Sequence, residues 1–123
     1  MKNKVIDYVT PTEVCKIIEI STKSTPQITR WINSGKIKGV KQFGNNKGIP
    51  VSWVKSECIE RGIHWEGVEL KEGEKGVSLD DYEPLIECIE DKREYGRIHT
   101  QMKRSTYKGD HIRFGNSYGL PKK

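Results

Sequence analysis

The chain is poor in what a large core or a catalytic centre requires. Of its 123 residues only 33% are apolar and 8% aromatic, while 32% are charged, so any core must be small and built from few large side chains. Cysteine is scarce and odd in number: Cys15, Cys58 and Cys88 lack metal-ligand spacing and sit among apolar residues. That pattern argues against a disulfide framework and for buried free thiols in a reducing cytoplasm. Three histidines, His64, His99 and His111, lie far apart, so no metal site is expected. No apolar run approaches a membrane span, and the N-terminus lacks the apolar stretch of a signal peptide, which predicts a soluble, cytoplasmic protein. Neither a glycine-rich phosphate loop after a strand nor a nucleophile elbow occurs, and the carboxylates between residues 63 and 76 read as a solvated run rather than a catalytic pair. No enzyme and no cofactor are expected.

What the chain does contain is a phrase used twice. Phe43-Gly44-Asn45-Asn46-Lys47-Gly48-Ile49-Pro50 returns as Phe114-Gly115-Asn116-Ser117-Tyr118-Gly119-Leu120-Pro121. Internal repeats decide architecture, and this one extends upstream. Lys38-Gly39 aligns with Lys108-Gly109, Ile32 with Met102, Ile28 with Ile98, Ile17-Ile18 with Leu85-Ile86, and Val9-Thr10 with Val77-Ser78. The expectation is two copies of one small module, residues 1–62 and 77–123, joined by an acidic linker over 63–76.

The charge follows the same division. Residues 1–62 carry eleven Lys and Arg against five Asp and Glu, residues 63–90 two against nine, and residues 91–123 nine against three. Two basic modules around an acidic segment are the footprint expected of a protein that binds a long polyanion.

Local signals divide the first module. Thr10-Pro11-Thr12-Glu13 has the pattern of a capping box, with Val14, Ile17 and Ile18 as an apolar stripe. Thr25-Pro26 restarts a helix whose inward face is Ile28, Trp31 and Ile32, closed by Ser34-Gly35. A hairpin is expected next, from Lys36 to Phe43 and back through Ile49 to Val51, with Gly44 to Gly48 as the turn. Ser52 then caps a helix through Trp53, Val54, Cys58 and Ile59, closed by Gly62. Trp31 and Trp53 are expected in the core, and Trp65 is a candidate pin between the modules. In the second module Ser78-Leu79-Asp80-Asp81 reads as a helix start, with Tyr82, Leu85, Ile86 and Ile89 as its apolar face, and a further helix is expected over Ile98 to Arg104. That copy lacks equivalents of Trp31 and of Ser34-Gly35.

Helix, turn, helix and a two-stranded wing outline a winged helix-turn-helix. Pro11-Thr12-Glu13-Val14, Ile20-Ser21, Ile28-Thr29-Arg30-Trp31-Ile32, Asn33-Ser34-Gly35-Lys36-Ile37, and Gly44 followed by Gly48-Ile49-Pro50 resemble the excisionase and MerR-type winged-helix family. The resemblance covers residues 8–60; one departure is a longer turn, Thr22 to Gln27 separating Ser21 from Ile28. It implies that the second helix reads the major groove and that the wing contacts the flanking backbone or the minor groove. The expected fold class is α+β, tandem winged helix-turn-helix modules, mainly helical with small hairpin wings.

On that reading Gln27, Thr29, Arg30 and Asn33 face base edges, while Lys36, Lys38, Lys41, Asn46 and Lys47 hold phosphates from the wing. In the second module His99, Thr100, Gln101, Lys103 and Arg104 take the first role, and Lys108, Arg113, Asn116 and Tyr118 the second. The expected partner is double-stranded DNA, with a recombinase or RNA polymerase as further partner and cooperative self-association along DNA. The function implied is that of an excisionase-like architectural factor or regulator of a phage or mobile element, nucleoid-associated in a bacterial cell. A repressor or activator at a single operator is one alternative. An adaptor using the acidic segment, with only the first module on DNA, is another.

Overall fold

The computed structural model describes residues 2–122, an α+β arrangement with five α-helices and three small sheets among those residues. Strand β1 (Lys2–Val5) is followed by β2 (Tyr8–Val9) and helix α1 (Pro11–Ile17). The capping box at α1 forms as its sequence predicts. Thr10 Oγ1 accepts from Glu13 N at 3.3 Å, and the Glu13 carboxylate accepts from Thr10. A single 3-10 turn over Thr22–Ser24, capped by Ser21, takes up the lengthened connection to helix α2 (Thr25–Asn33). Strands β3 (Lys41–Phe43) and β4 (Asn46–Pro50) form an antiparallel hairpin, and helix α3 (Val51–Glu60) follows directly. Pro50, not Ser52, stands at the N-cap of α3, because β4 runs without a break into the helix.

Strand β5 (Glu74–Val77) precedes a 3-10 turn (Leu79–Asp81), strand β6 (Tyr82–Pro84), the four-residue helix α4 (Leu85–Cys88), helix α5 (Lys92–Lys103) and the hairpin of β7 (Ile112–Phe114) and β8 (Ser117–Pro121). The helix expected from Ser78 is absent. Ser78 does cap, accepting from Asp80 N, but only for one tight turn, after which Tyr82, Glu83 and Pro84 pair with Pro121, Leu120 and Gly119. A strand at this point matches the first half, where Tyr8 and Val9 pair with Pro50 and Ile49. The spatial counterpart of Tyr8 is therefore Tyr82, and the alignment of Val9-Thr10 with Val77-Ser78 is out of register.

The two hairpins have one register. Lys41 opposes Gly48 and Phe43 opposes Asn46; Ile112 opposes Gly119 and Phe114 opposes Ser117. Each turn is two residues, not five, with Gly44 and Gly115 both at φ 60°. A positive φ at the first turn residue alone is the type II′ geometry that suits twisted hairpins. The ends of α2 and α5 also agree in their bonds. Ser34 N bonds Arg30 O and Gly35 N bonds Ile32 O; Arg104 N bonds Thr100 O and Ser105 N bonds Met102 O. Ser105 adopts φ 61°, doing without a glycine what Gly35 does at φ 82°.

Two cores result. One, within the first half, contains Val14, Cys15, Ile18, Ile28, Ile37, Ile49, Val54 and Cys58, with Trp31, Trp53 and Trp65 packed against it half-buried. Trp65 thus covers the first core rather than bridging the halves. The second core crosses the chain: Phe43 of the first hairpin, fully buried, joins Val5, Leu79, Tyr82, Ile112 and Phe114. Strand β5, from the end of the acidic segment, pairs in parallel with β1, Lys2 opposite Glu74 and Val5 opposite Val77. Asp7 adds two bonds across the same junction, accepting from Ser78 Oγ at 2.6 Å and Leu79 N at 3.0 Å. The acidic segment expected as a linker over 63–76 thus runs into a strand that joins the two halves.

Candidate nucleic-acid interface

The surface of α2 follows from its sequence. Ile28 is fully buried and Trp31 and Ile32 half-buried, which leaves Gln27, Thr29, Arg30 and Asn33 exposed on the other side. Gly35 turns the chain back on itself, and Ile37 N bonds Trp31 O while its side chain enters the core. Lys36 and Lys38, on either side of buried Ile37, are thereby held exposed next to the end of the helix. The Lys36 ammonium lies 4.2 Å from the centre of the Trp31 ring, a cation–π contact that orders the side chain while leaving its charge at the surface. Between Glu19 and Glu57 there is no acidic residue, whereas Lys23, Arg30, Lys36, Lys38, Lys41, Lys47 and Lys55 all fall there.

The hairpin residues divide into two groups. Lys47 is half-buried on β4. Lys41 forms an ion pair with Asp80 of the second half, and Asn46 Nδ2 donates to Ser117 Oγ at 2.9 Å. These two side chains, expected on DNA, hold the halves of the molecule together.

In the second half Thr100, Lys103, Arg104, Lys108, Arg113 and Asn116 are exposed, Arg113 Nε donating to Gly115 O at 3.1 Å. Gln101 is half-buried, and its carbonyl accepts from both Thr106 N and Tyr107 N at the end of α5. His99 is wedged between Tyr95, 5.8 Å away and stacked, and Tyr118, 5.2 Å away and edge-on. His99 and Tyr118 therefore pack on each other rather than standing out as separate contacts.

Matching the helix ends places Arg97, Thr100 and Lys103 where α2 has Gln27, Arg30 and Asn33. Arg97 is exposed and is absent from the expected contacts, because a helix beginning at Ile98 excludes it, whereas Asp91 caps the helix through Arg93 N and Glu94 N. The available signal is its position immediately before Ile98, as Gln27 stands before Ile28.

Beyond Glu94 the sole acid is Asp110, and it is occupied. Tyr82 donates its hydroxyl to Asp110 Oδ1 and Oδ2 at 3.1 and 3.2 Å, and Asn3 Nδ2 also donates to Asp110. Burial first, then the hydrogen bond and charge of Asp110, push the Tyr82 phenol up to about 12. Burial is also the first cause that raises all three thiols, Cys15 and Cys58 in the core and the half-buried Cys88.

A cavity of about 40 Å³ lies beside the hairpin tips, lined by Gly44, Pro84, Leu85, Tyr95, His99 and Tyr118, and an open groove of about 460 Å³ is lined by Lys75, Ser78, Asp81, Tyr82, Asp110 and Lys122. The first is too small for a substrate. Among the described residues no three His, Cys, Asp or Glu side chains group as a metal site, and no helix is long and apolar enough to cross a membrane. Scans against protein-family models, curated proteins and solved structures find no match to this chain.

Proposed function

We propose that this chain binds double-stranded DNA through two winged helix-turn-helix units, as an excisionase-like architectural factor or a regulator of a mobile element. One observation carries the reading. Helix α2 presents Gln27, Thr29, Arg30 and Asn33 together on an exposed face, within a stretch free of acids, and Lys36 and Lys38 flank its end. Arginine, glutamine and asparagine are the side chains that pair with base edges bidentately, and lysines beside them neutralise phosphates. The exposed basic residues Arg97, Lys103, Arg104 and Lys108 support an equivalent surface around α5. A recombinase or RNA polymerase would then be the protein partner, and molecules would associate cooperatively along the duplex.

The test is the affinity of the intact protein for duplex DNA across a salt series, measured by fluorescence anisotropy with a random-sequence pool and with sequences enriched from it. Each phosphate neutralised by a lysine adds about 0.9 to the steepness of log affinity against log salt, so Lys36→Ala with Lys38→Ala should reduce it by roughly 2. Arg30→Ala should weaken the enriched site by about 1–3 kcal/mol. Affinities unmoved by these substitutions would overturn the assignment of this surface. An adaptor role for the exposed acids Glu66, Glu69 and Glu72 would show instead as capture of a basic protein without DNA.

A further inference from the structure

We infer that the chain is an internal pseudo-dimer, and that α2 and α5 address inverted, non-identical half-sites of one duplex. The inference rests on the DNA reading above and adds the arrangement of the site. It comes from the way the hairpins touch. Gly44 and Asn46 hold the same register positions as Gly115 and Ser117. Gly44 lies against Ser117, where an added Cβ would come 2.6 Å from Oγ, and Gly115 lies against Asn46, where it would come 2.5 Å from Oδ1. The contact is reciprocal: each glycine meets the counterpart of the residue that its own counterpart meets. Phe43 packs edge-on against its counterpart Phe114 at 6.0 Å, and Asn46 bonds its counterpart Ser117.

Residue against counterpart, in both directions, is the mark of an isologous contact, which only an approximate two-fold axis produces. Two units repeated head-to-tail would instead set one surface of the first against a different surface of the second. The parallel pairing of β1 with β5 is compatible with the same axis, because strands related by a two-fold along their length run the same way.

The consequence for DNA is geometric. A duplex has its own two-fold axes perpendicular to its length, so recognition helices related by a protein two-fold meet half-sites in inverted orientation. The halves need not match, since α5 carries Arg97, Thr100 and Lys103 where α2 carries Gln27, Arg30 and Asn33. A single chain thereby recognises an imperfect inverted repeat without a second copy.

The experiment uses the full chain and duplexes selected from a random pool, followed by hydroxyl-radical footprinting and by rebuilt duplexes carrying the halves inverted, direct or singly. The expected result is two protected patches about one helical turn (~34 Å) apart, or a multiple of it. The inverted duplex should bind at least roughly tenfold tighter than the direct one. Arg30→Ala should erase one patch and Arg97→Ala the other; both positions are exposed, and circular dichroism checks that the variants fold. A preference for the direct arrangement, or one patch indifferent to Arg97→Ala, overturns the pseudo-dimer inference and leaves the DNA reading standing. Absence of salt-sensitive binding to any duplex overturns both.

Discussion

Asn46 and Ser117 stand 71 residues apart in sequence, occupy the same position in their two hairpins, and bond to each other at 2.9 Å. The bond is part-buried and the Ser117 hydroxyl also takes Asn45 N at 3.4 Å, so the pair pins the two turns together. Asn46→Ala and Ser117→Ala should each cost about 1 kcal/mol of unfolding free energy. Because they remove the same bond, the double variant should lose less than the two losses combined. Urea denaturation of the four proteins closes the cycle, and strict additivity would mean that the bond contributes nothing.

Gly119 and Gly35 separate two reasons for glycine. At Gly119 a Cβ would come 2.5 Å from Phe43 Cζ and 2.9 Å from the Glu83 carbonyl, with a φ that any residue can adopt. Gly119→Ala should therefore push the hairpins apart and cost about 2 kcal/mol or more, as overpacking does. At Gly35 nothing lies within 4 Å, but φ is 82°, so Gly35→Ser should cost only about 1 kcal/mol of backbone strain. The reverse change at the matching position, Ser105→Gly, relieves a φ of 61° at the expense of a freer unfolded chain and should change stability by less than about 1 kcal/mol. Thermal unfolding ranks the three, and a Gly119→Ala protein as stable as Gly35→Ser would contradict the packing.

What can be read from the chain is local. The Thr10 capping box, the stop at Gly35 and the buried Ile28 face depend on neighbours within a turn or two, and each is present. The repeated hairpin phrase is legible for the same reason. Tyr82 to Pro84 misleads because Ser78-Leu79-Asp80-Asp81 carries an N-cap signal, while the partner that makes it a strand, β8, lies at the far end of the chain. The end of α5 falls where it is expected, at Lys103 with Arg104 as the C-cap, although Ser105 stands where the first half has Gly35. The burial of Phe43 under Leu79 and Phe114, and the commitment of Lys41 to Asp80, arise from pairing between distant segments that no periodicity reports. Of the candidate site, the α2 face is legible because helical spacing alone separates it from the core. Arg97 is not, because its helix starts earlier than the apolar spacing suggests.

Phe43 shows why the first half is not expected to behave as a free-standing domain. It is wholly buried, and the residues that cover it include Leu79, Tyr82, Ile112 and Phe114, all from the second half. A fragment of residues 1–76 would expose that ring and lack Val77, the strand partner of Val5, along with the Asp7 bonds to Ser78 and Leu79. It should melt well below the intact chain or aggregate. Phe43→Ala in the full chain should cost about 3–5 kcal/mol, the range for a buried phenylalanine. Calorimetry of the intact protein should show one transition, since the second core belongs to both halves; two resolved transitions would mean that the halves unfold independently.

Tyr82 ties the same core to pH. Its ring is buried and its hydroxyl bonds both oxygens of Asp110, and burial followed by that bond raises its pKa from the usual 10.0 to about 12. The raised value means that the folded state holds the proton more tightly than the unfolded chain. Below pH 10 both states are protonated and the contribution is complete. Between pH 10 and about 12 the unfolded chain ionises while the folded protein does not, so stability falls with rising pH and the contribution is lost above the upper value. Tyr82→Phe should be less stable by about 1 kcal/mol at neutral pH, through the lost hydrogen bond. Across the alkaline window it should fall by about 2 to 3 kcal/mol less than the native protein, at 1.36 kcal/mol per pKa unit. The raised Tyr8 phenol is common to both proteins and cancels in the comparison. Urea unfolding of the pair from pH 8 to 12 decides it: a difference that shrinks and then reverses supports a buried, Asp110-bound phenol, and parallel curves place the hydroxyl in water.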